Sequence, residues 1–106
     1  MSKFLQTLGL ARRAGRAIFG IDTVAANTRT AQLIVLANDA GIAVSRRAAR
    51  IGAEANVEII TAPYTSVELG QAIGTQLCAV AAITEKGFAT SISYELKGPR
   101  AGMMRR

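Results

Sequence analysis

Gln32-Leu33-Ile34-Val35-Leu36-Ala37-Asn38-Asp39 is an unbroken apolar run that stops abruptly at polar side chains. Four successive large aliphatic residues leave no side for water, so the run reads as a short central strand covered on both faces. A buried helix turn is the alternative that periodicity alone leaves open. The segments before and after it carry helical spacing and would supply the two covers.

Working toward the N-terminus, Phe4, Leu5 and Leu8 recur at helical spacing behind Ser2, a capping residue, and Gly15 stands where helices commonly end. The pattern predicts a helix from Lys3 to Ala14. Arg12 and Arg13 fall in its last turn, where positive charge complements the helix dipole and needs no ligand to explain it. Gly15 to Gly20 then reads as an extended connector that adds a brief strand. Asp22 or Thr23 is expected to cap a second helix running to about Thr28. A glycine ahead of that start leaves backbone N–H groups clear of side chains, a weak signal for an anion-binding end.

Beyond the central run, Ser45 is the expected cap of a third helix ending near Ala55, which would put Arg46 and Arg47 in its first turn. Cations there oppose the dipole and hint at a phosphate partner, whereas a start near Ile42 would leave an ordinary solvated basic face. Val57 to Ala62 is the next strand, closed by Pro63. Thr65 and Glu68 make a capping-box pattern, followed by Leu69, Ala72 and Ile73 at helical spacing and Gly74 as a stop. An apolar strand from Cys78 to Ile83 follows, then Thr84 as cap of a last helix with Phe88, Ile92 and Leu96 at i, i+4 and i+8. Strands alternating with helices in this way predict an α/β fold, a three-layer α/β/α sandwich. Residues 1–96 are read as its single domain. Residues 97–106 contain both breakers and no apolar period, and read as a basic flexible tail.

The formal net charge of +6 is unevenly laid out. Lys3, Arg12, Arg13 and Arg16 precede any acid, Arg46, Arg47 and Arg50 cluster, and all seven acids lie between Asp22 and Glu95. Basic excess in patches is either a solubility device or a phosphate footprint. The chain has no His and only Cys78, itself in an apolar run, so common nucleophile–base pairs and zinc sites are missing. Asp39 ends the central strand, where an α/β enzyme can keep a carboxylate, but its Asn-Asp-Ala-Gly turn uses such side chains for itself. Phosphate-cradling glycine motifs are absent, and five scattered aromatics make no stacking platform. No apolar run approaches the ~18 residues of a membrane span. The expectation is a cytoplasmic, non-enzymatic protein with no cofactor, metal, membrane or small-molecule substrate; recognition of folded RNA through loops and helix ends stays open.

Four segments in order resemble one family: Leu8-Gly9-Leu10-Ala11-Arg12-Arg13-Ala14-Gly15, the central strand with Asn38-Asp39-Ala40, Leu69-Gly70-Gln71-Ala72-Ile73-Gly74, and Thr84-Glu85-Lys86-Gly87-Phe88-Ala89. Together, over about residues 3 to 96, they look like the kink-turn-binding ribosomal proteins of the L-seven-Ae type, especially small bacterial YlxQ-like members. The resemblance implies a four-stranded mixed sheet within the sandwich, and binding of structured, kink-turn-like RNA by a ribosome-associated monomer. Carried across, the start of the second helix (Gly20, Ile21, Asp22, Thr23) would enter the RNA groove, and the loop after the fourth (Gly74, Thr75, Gln76, Leu77, Cys78) would lay apolar atoms on an extruded base. Arg13 and Arg16 would add positive charge. The best-known RNA-reading members have Asn and Glu in place of Asp22 and Thr23 and a lysine in place of Ala26, so here a phosphate would meet a carboxylate and no ammonium. The alternative is a protein-interaction module of the same fold that has lost kink-turn binding.

Overall fold

The computed structural model describes residues 2–97. Nine elements follow in order: α1 (Lys3–Arg13), β1 (Ala17–Phe19), α2 (Ile21–Ala26), β2 (Leu33–Leu36), α3 (Ile42–Ala55), β3 (Ile59–Thr61), α4 (Ser66–Ile73), β4 (Val80–Ile83) and α5 (Lys86–Lys97). The strands form one mixed sheet in the order β1-β4-β2-β3. β2 runs parallel to β3, and β4 runs antiparallel to both β2 and β1.

The quoted run occupies the middle of that sheet, and every residue of β2 and β4 is buried. Alternation along β2 divides the core. Leu33, Val35 and Ala37 face a layer with Phe4, Leu8, Leu69, Ile73 and Ile92, so α1, α4 and α5 cover that side. Ile34 and Leu36 face Val24, Ala48 and Ile51 from α2 and α3 on the other. A strand enclosed on both sides has no polar face to show, and this is why its sequence lacks alternation. Helices within that first layer approach closely: a Cβ on Gly9 of α1 would lie 2.9 Å from the Ala72 carbonyl of α4.

Capping decides several boundaries. Ser2 accepts the Leu5 N–H at 3.1 Å, and Thr65 and Glu68 complete the capping box of α4. Three expected caps shift. α2 starts after Gly20 with no side-chain cap and ends at Ala26, so Asp22 and Thr23 lie inside its first turn. α3 starts at Ile42, a turn before Ser45, because the Gly41 carbonyl accepts the Ser45 N–H at 2.9 Å; Arg46 and Arg47 therefore sit in the second turn. α5 is capped by Glu85, whose Oε1 accepts the Phe88 N–H at 2.8 Å, while Thr84 is still held to the sheet by its N–H to the Arg16 carbonyl. The Phe88 and Gly87 N–H groups, with Arg16 nearby, hold the Glu85 carboxyl below its ordinary range, so the cap acts at neutral pH and is lost as the pH falls through that lowered value.

Strand ends are shorter than the apolar runs. Cys78 leaves β4 because its N–H goes to the Ser66 carbonyl, while the bond from Ala37 to the Ala79 carbonyl still follows the β2–β4 register. The expected basic tail, apart from Lys97, lies outside the described residues. Lys97 closes α5, and its ammonium pairs with Glu58.

Candidate functional site

The end of the sheet where β2 terminates gathers four segments distant in sequence. Gly20, at φ +92°, sends its N–H to the Val80 carbonyl at 3.0 Å, which places the start of α2 beside the entry to β4. A side chain there would be strained, so the glycine is needed for the turn into α2. Ala37 donates to Ala79 at 2.9 Å, and Cys78 donates to Ser66 at 2.9 Å. Asp39 accepts the Ser66 N–H at 2.8 Å, stitching the turn after β2 to the first turn of α4. The Asp39 carboxylate is thus committed to a helix N-terminus, in keeping with a structural role.

The loop after α4 is pressed against the helix it leaves. Gly74 caps α4 in the left-handed region at φ +83°, and Thr75 donates to the Gly70 carbonyl at 2.8 Å. A Cβ on Gly70 would stand 2.7 Å from the Gln76 carbonyl oxygen. Residues 75 to 77 are held in one path by this contact, with Leu77 64% exposed at its crest. Ile42 and Val67, at the starts of α3 and α4, are also exposed, at 71% and 47%. Three of the five large exposed apolar residues therefore surround one end of the fold, among the described residues. Such grouping, unlike scattered exposed leucines, marks a contact surface.

Of the residues that the resemblance implies, Gly20, Ile21, Asp22 and Thr23 open α2 at this end, and Gln76 and Leu77 lead back to it from Gly74 and Thr75 at the C-terminal end of α4. Cys78 is not on its surface: the side chain is buried and its thiol donates to the Val80 carbonyl at 3.5 Å, so it shapes the loop from below. Burial pushes the thiol up to about 11. At pH 8 only about one molecule in a thousand would then carry the thiolate, so a disulfide reagent such as Ellman's is expected to label native protein at the rate of unfolding, and denatured protein at once. Arg13 and Arg16 lie elsewhere. Arg16 sits at the other end of β1, bonded through its carbonyl to Thr84 and acting on Glu85, roughly 13 Å of extended chain from Gly20.

The positive charge beside the rim comes instead from α3. Arg47 Nη1 lies 2.6 Å from Asp22 Oδ1, so the carboxylate that would repel a phosphate is paired. This partner stands 25 positions away and no local pattern announces it. Ile42 and Val67 were missed for a related reason, since each opens a helix and only the folded chain shows them unburied. The remaining acids of the rim, Asp39 and Glu68, serve the N-terminus of α4. Among the described residues no group of His, Cys, Asp and Glu could hold a metal ion. No described helix is long and apolar enough to cross a membrane.

Comparison with known proteins agrees with this architecture. No curated protein gives a significant sequence match. Among solved structures, a protein of unknown function from Bacillus halodurans C superposes with a TM-score of 0.86 at 24% identity, over 92% of this chain and 99% of that one. The Giardia lamblia 15.5kD RNA binding protein superposes with a TM-score of 0.74 at 16% identity, over 92% of this chain and 84% of that one. Both likenesses are of fold. The family model described as ribosomal protein L7Ae/L30e/S12e/Gadd45 matches residues 2–93, nearly the whole described chain. The chain belongs to the ribosomal protein L7Ae/L30e/S12e/Gadd45 family.

Proposed function

We propose that this is a non-enzymatic RNA-binding protein that recognises structured, kink-turn-like RNA through the rim formed by Gly20 to Thr23 and Gly74 to Leu77. The observation that supports this reading is the bond from the Gly20 N–H to the Val80 carbonyl, which sets the start of α2 beside the first residue of β4, three positions after the exposed Leu77. Family membership and a fold shared with an RNA binding protein support the same reading. Backbone donors and small side chains let a nucleic-acid strand approach closely, while exposed aliphatic atoms offer a face for an unstacked base. The pairing of Asp22 with Arg47 removes the main electrostatic objection.

In this proposal the protein is a cytoplasmic, ribosome-associated monomer without cofactor. Within the family it is proposed to be a YlxQ-like bacterial member, on the four sequence segments that carry that resemblance. Residues 1–96 form the binding domain and the terminal segment adds non-specific charge. The test is binding to a kink-turn hairpin RNA at two ionic strengths. Salt-sensitive affinity is expected, and its absence would reject the reading in favour of a protein-interaction module. Leu77→Ala removes a side chain that the RNA would finish burying, so affinity should fall roughly 5- to 30-fold, the equivalent of ~1–2 kcal/mol, with an unchanged melting temperature.

A further inference from the structure

The exposed face of α3 carries three arginines that neither the core nor the rim requires. Arg46, Arg47 and Arg50 all reach solvent within little more than one turn. Arg47 is ion-paired with Asp22, whereas Arg46 and Arg50 have no carboxylate within salt-bridge distance among the described residues. Like charges at i and i+4 destabilise a helix, and these two lie far from the helix C-terminus that would favour them. The fold gains nothing from them. Beside them, α2 and α3 border a groove of about 350 Å³, to which α2 contributes Ala25, the turn after it Thr28, and α3 Arg47, Arg50 and Glu54.

We infer that this face is a second RNA contact, in which Arg46 and Arg50 grip the phosphate backbone of a double-stranded arm that continues past the rim, while Arg47 stays paired with Asp22. The inference rests on the proposed RNA binding at the rim and extends it. Arg46 and Arg50 are four residues apart, hence ~6 Å along the helix, a spacing comparable to that of successive phosphates on one strand. The ion pair from Arg47 to Asp22 makes the basic face continuous with the start of α2. Glu54 repels phosphate at the far end of the groove and confines the strand to the arginine end. An acidic protein is the poorer occupant: protein interfaces are built on a buried apolar centre with large anchors, and beyond Ile42 at the rim the exposed apolar neighbours here are only Ala43, Ala49 and Ala53. Backbone contacts of this kind position a duplex and carry no sequence information.

The test uses fluorescence anisotropy of a kink-turn hairpin made with a long or a trimmed double-stranded arm. On the long arm, Arg46→Ala with Arg50→Ala should lower the slope of log affinity against log salt by between one and two. The advantage of the native protein over this variant should accordingly shrink about 4- to 16-fold when salt is raised fourfold. On the trimmed arm the two proteins should bind alike. Arg46→Lys with Arg50→Lys should restore the slope, because counterion release follows charge, and this excludes a folding defect. An unchanged slope in the double alanine variant would overturn the arm contact, and Leu77→Ala would still report on the rim. Poly-glutamate competing as well as the long arm would assign the face to an acidic protein partner and reject RNA. A native protein with no salt-sensitive affinity for either hairpin would reject the rim reading and the arm contact with it.

Discussion

Ile34→Ala is expected to destabilise the protein by about 2–5 kcal/mol, at the upper half of that range, and to leave little folded protein at physiological temperature. Ile34 is fully buried in the central strand, paired in register with Ile59 of β3 and Ala82 of β4. The position within the range follows from its neighbours. The layer between the sheet and α2 and α3 is built largely of short side chains, with Ala31, Ala48 and Ala82 among its buried members. Alanines have no rotamers with which to fill a void, so the cavity left by the isoleucine would stay open and its walls would lose dispersion contacts outright. Ile42→Ala offers the contrast, because that side chain is mostly exposed and its loss should change stability by less than ~0.5 kcal/mol. Denaturant titration of both variants checks the pair: equal midpoints would mean that the α2–α3 layer is not a packed core.

The same strand shows what was legible beforehand. A short run rich in β-branched residues between helical patterns favours a central strand over a buried helix turn, and the capping box at Thr65 and Glu68 marks the start of α4 because both partners lie within one turn. Local chemistry of that sort can be read from a line of letters. The caps that moved are those with long-range competitors. Thr84 is tied to Arg16 across the sheet, leaving Glu85 to cap α5, and α3 gains a turn because the Gly41 carbonyl can accept a helical bond without any side-chain cap. For the site, Gly20 and the loop after α4 were identifiable, but the charge supporting them was not. Arg13 and Arg16 are near Gly20 in sequence and lie at the wrong end of a strand, while Arg47 is distant in sequence and touches Asp22. Strands separate sequence neighbours by their full length, and helices from another layer bring in the partners.

Gly70→Ala is expected to destabilise the protein by about 1–3 kcal/mol and to remove most RNA affinity, although the substitution ordinarily favours a helix. In an exposed helix interior, replacing glycine by alanine gains up to ~1 kcal/mol from reduced backbone entropy of the unfolded chain. Gly70 is buried in the second turn of an eight-residue helix, and the added methyl would lie 2.7 Å from the Gln76 carbonyl oxygen and 2.9 Å from the Leu77 nitrogen. Both obstacles are backbone atoms, so no rotamer change relieves them; either the loop moves or α4 does. Moving α4 would disturb Leu69 and Ile73, which are buried against the sheet, and the Ala72 carbonyl that crowds Gly9 of α1. The loop is the softer element, so it should lift, breaking the bond from Thr75 to the Gly70 carbonyl and carrying Leu77 away from the start of α2. A melting temperature lowered by several degrees per kcal/mol, together with the loss of hairpin binding, is the expected pair of results. Gly74→Ala makes the discriminating companion: no atom crowds its Cβ, yet its φ of +83° penalises any side chain, so stability should fall through backbone strain with no steric push on the loop. If Gly70→Ala melts like the native protein, the overlap is absorbed by small adjustments and the loop is not held by contact with α4.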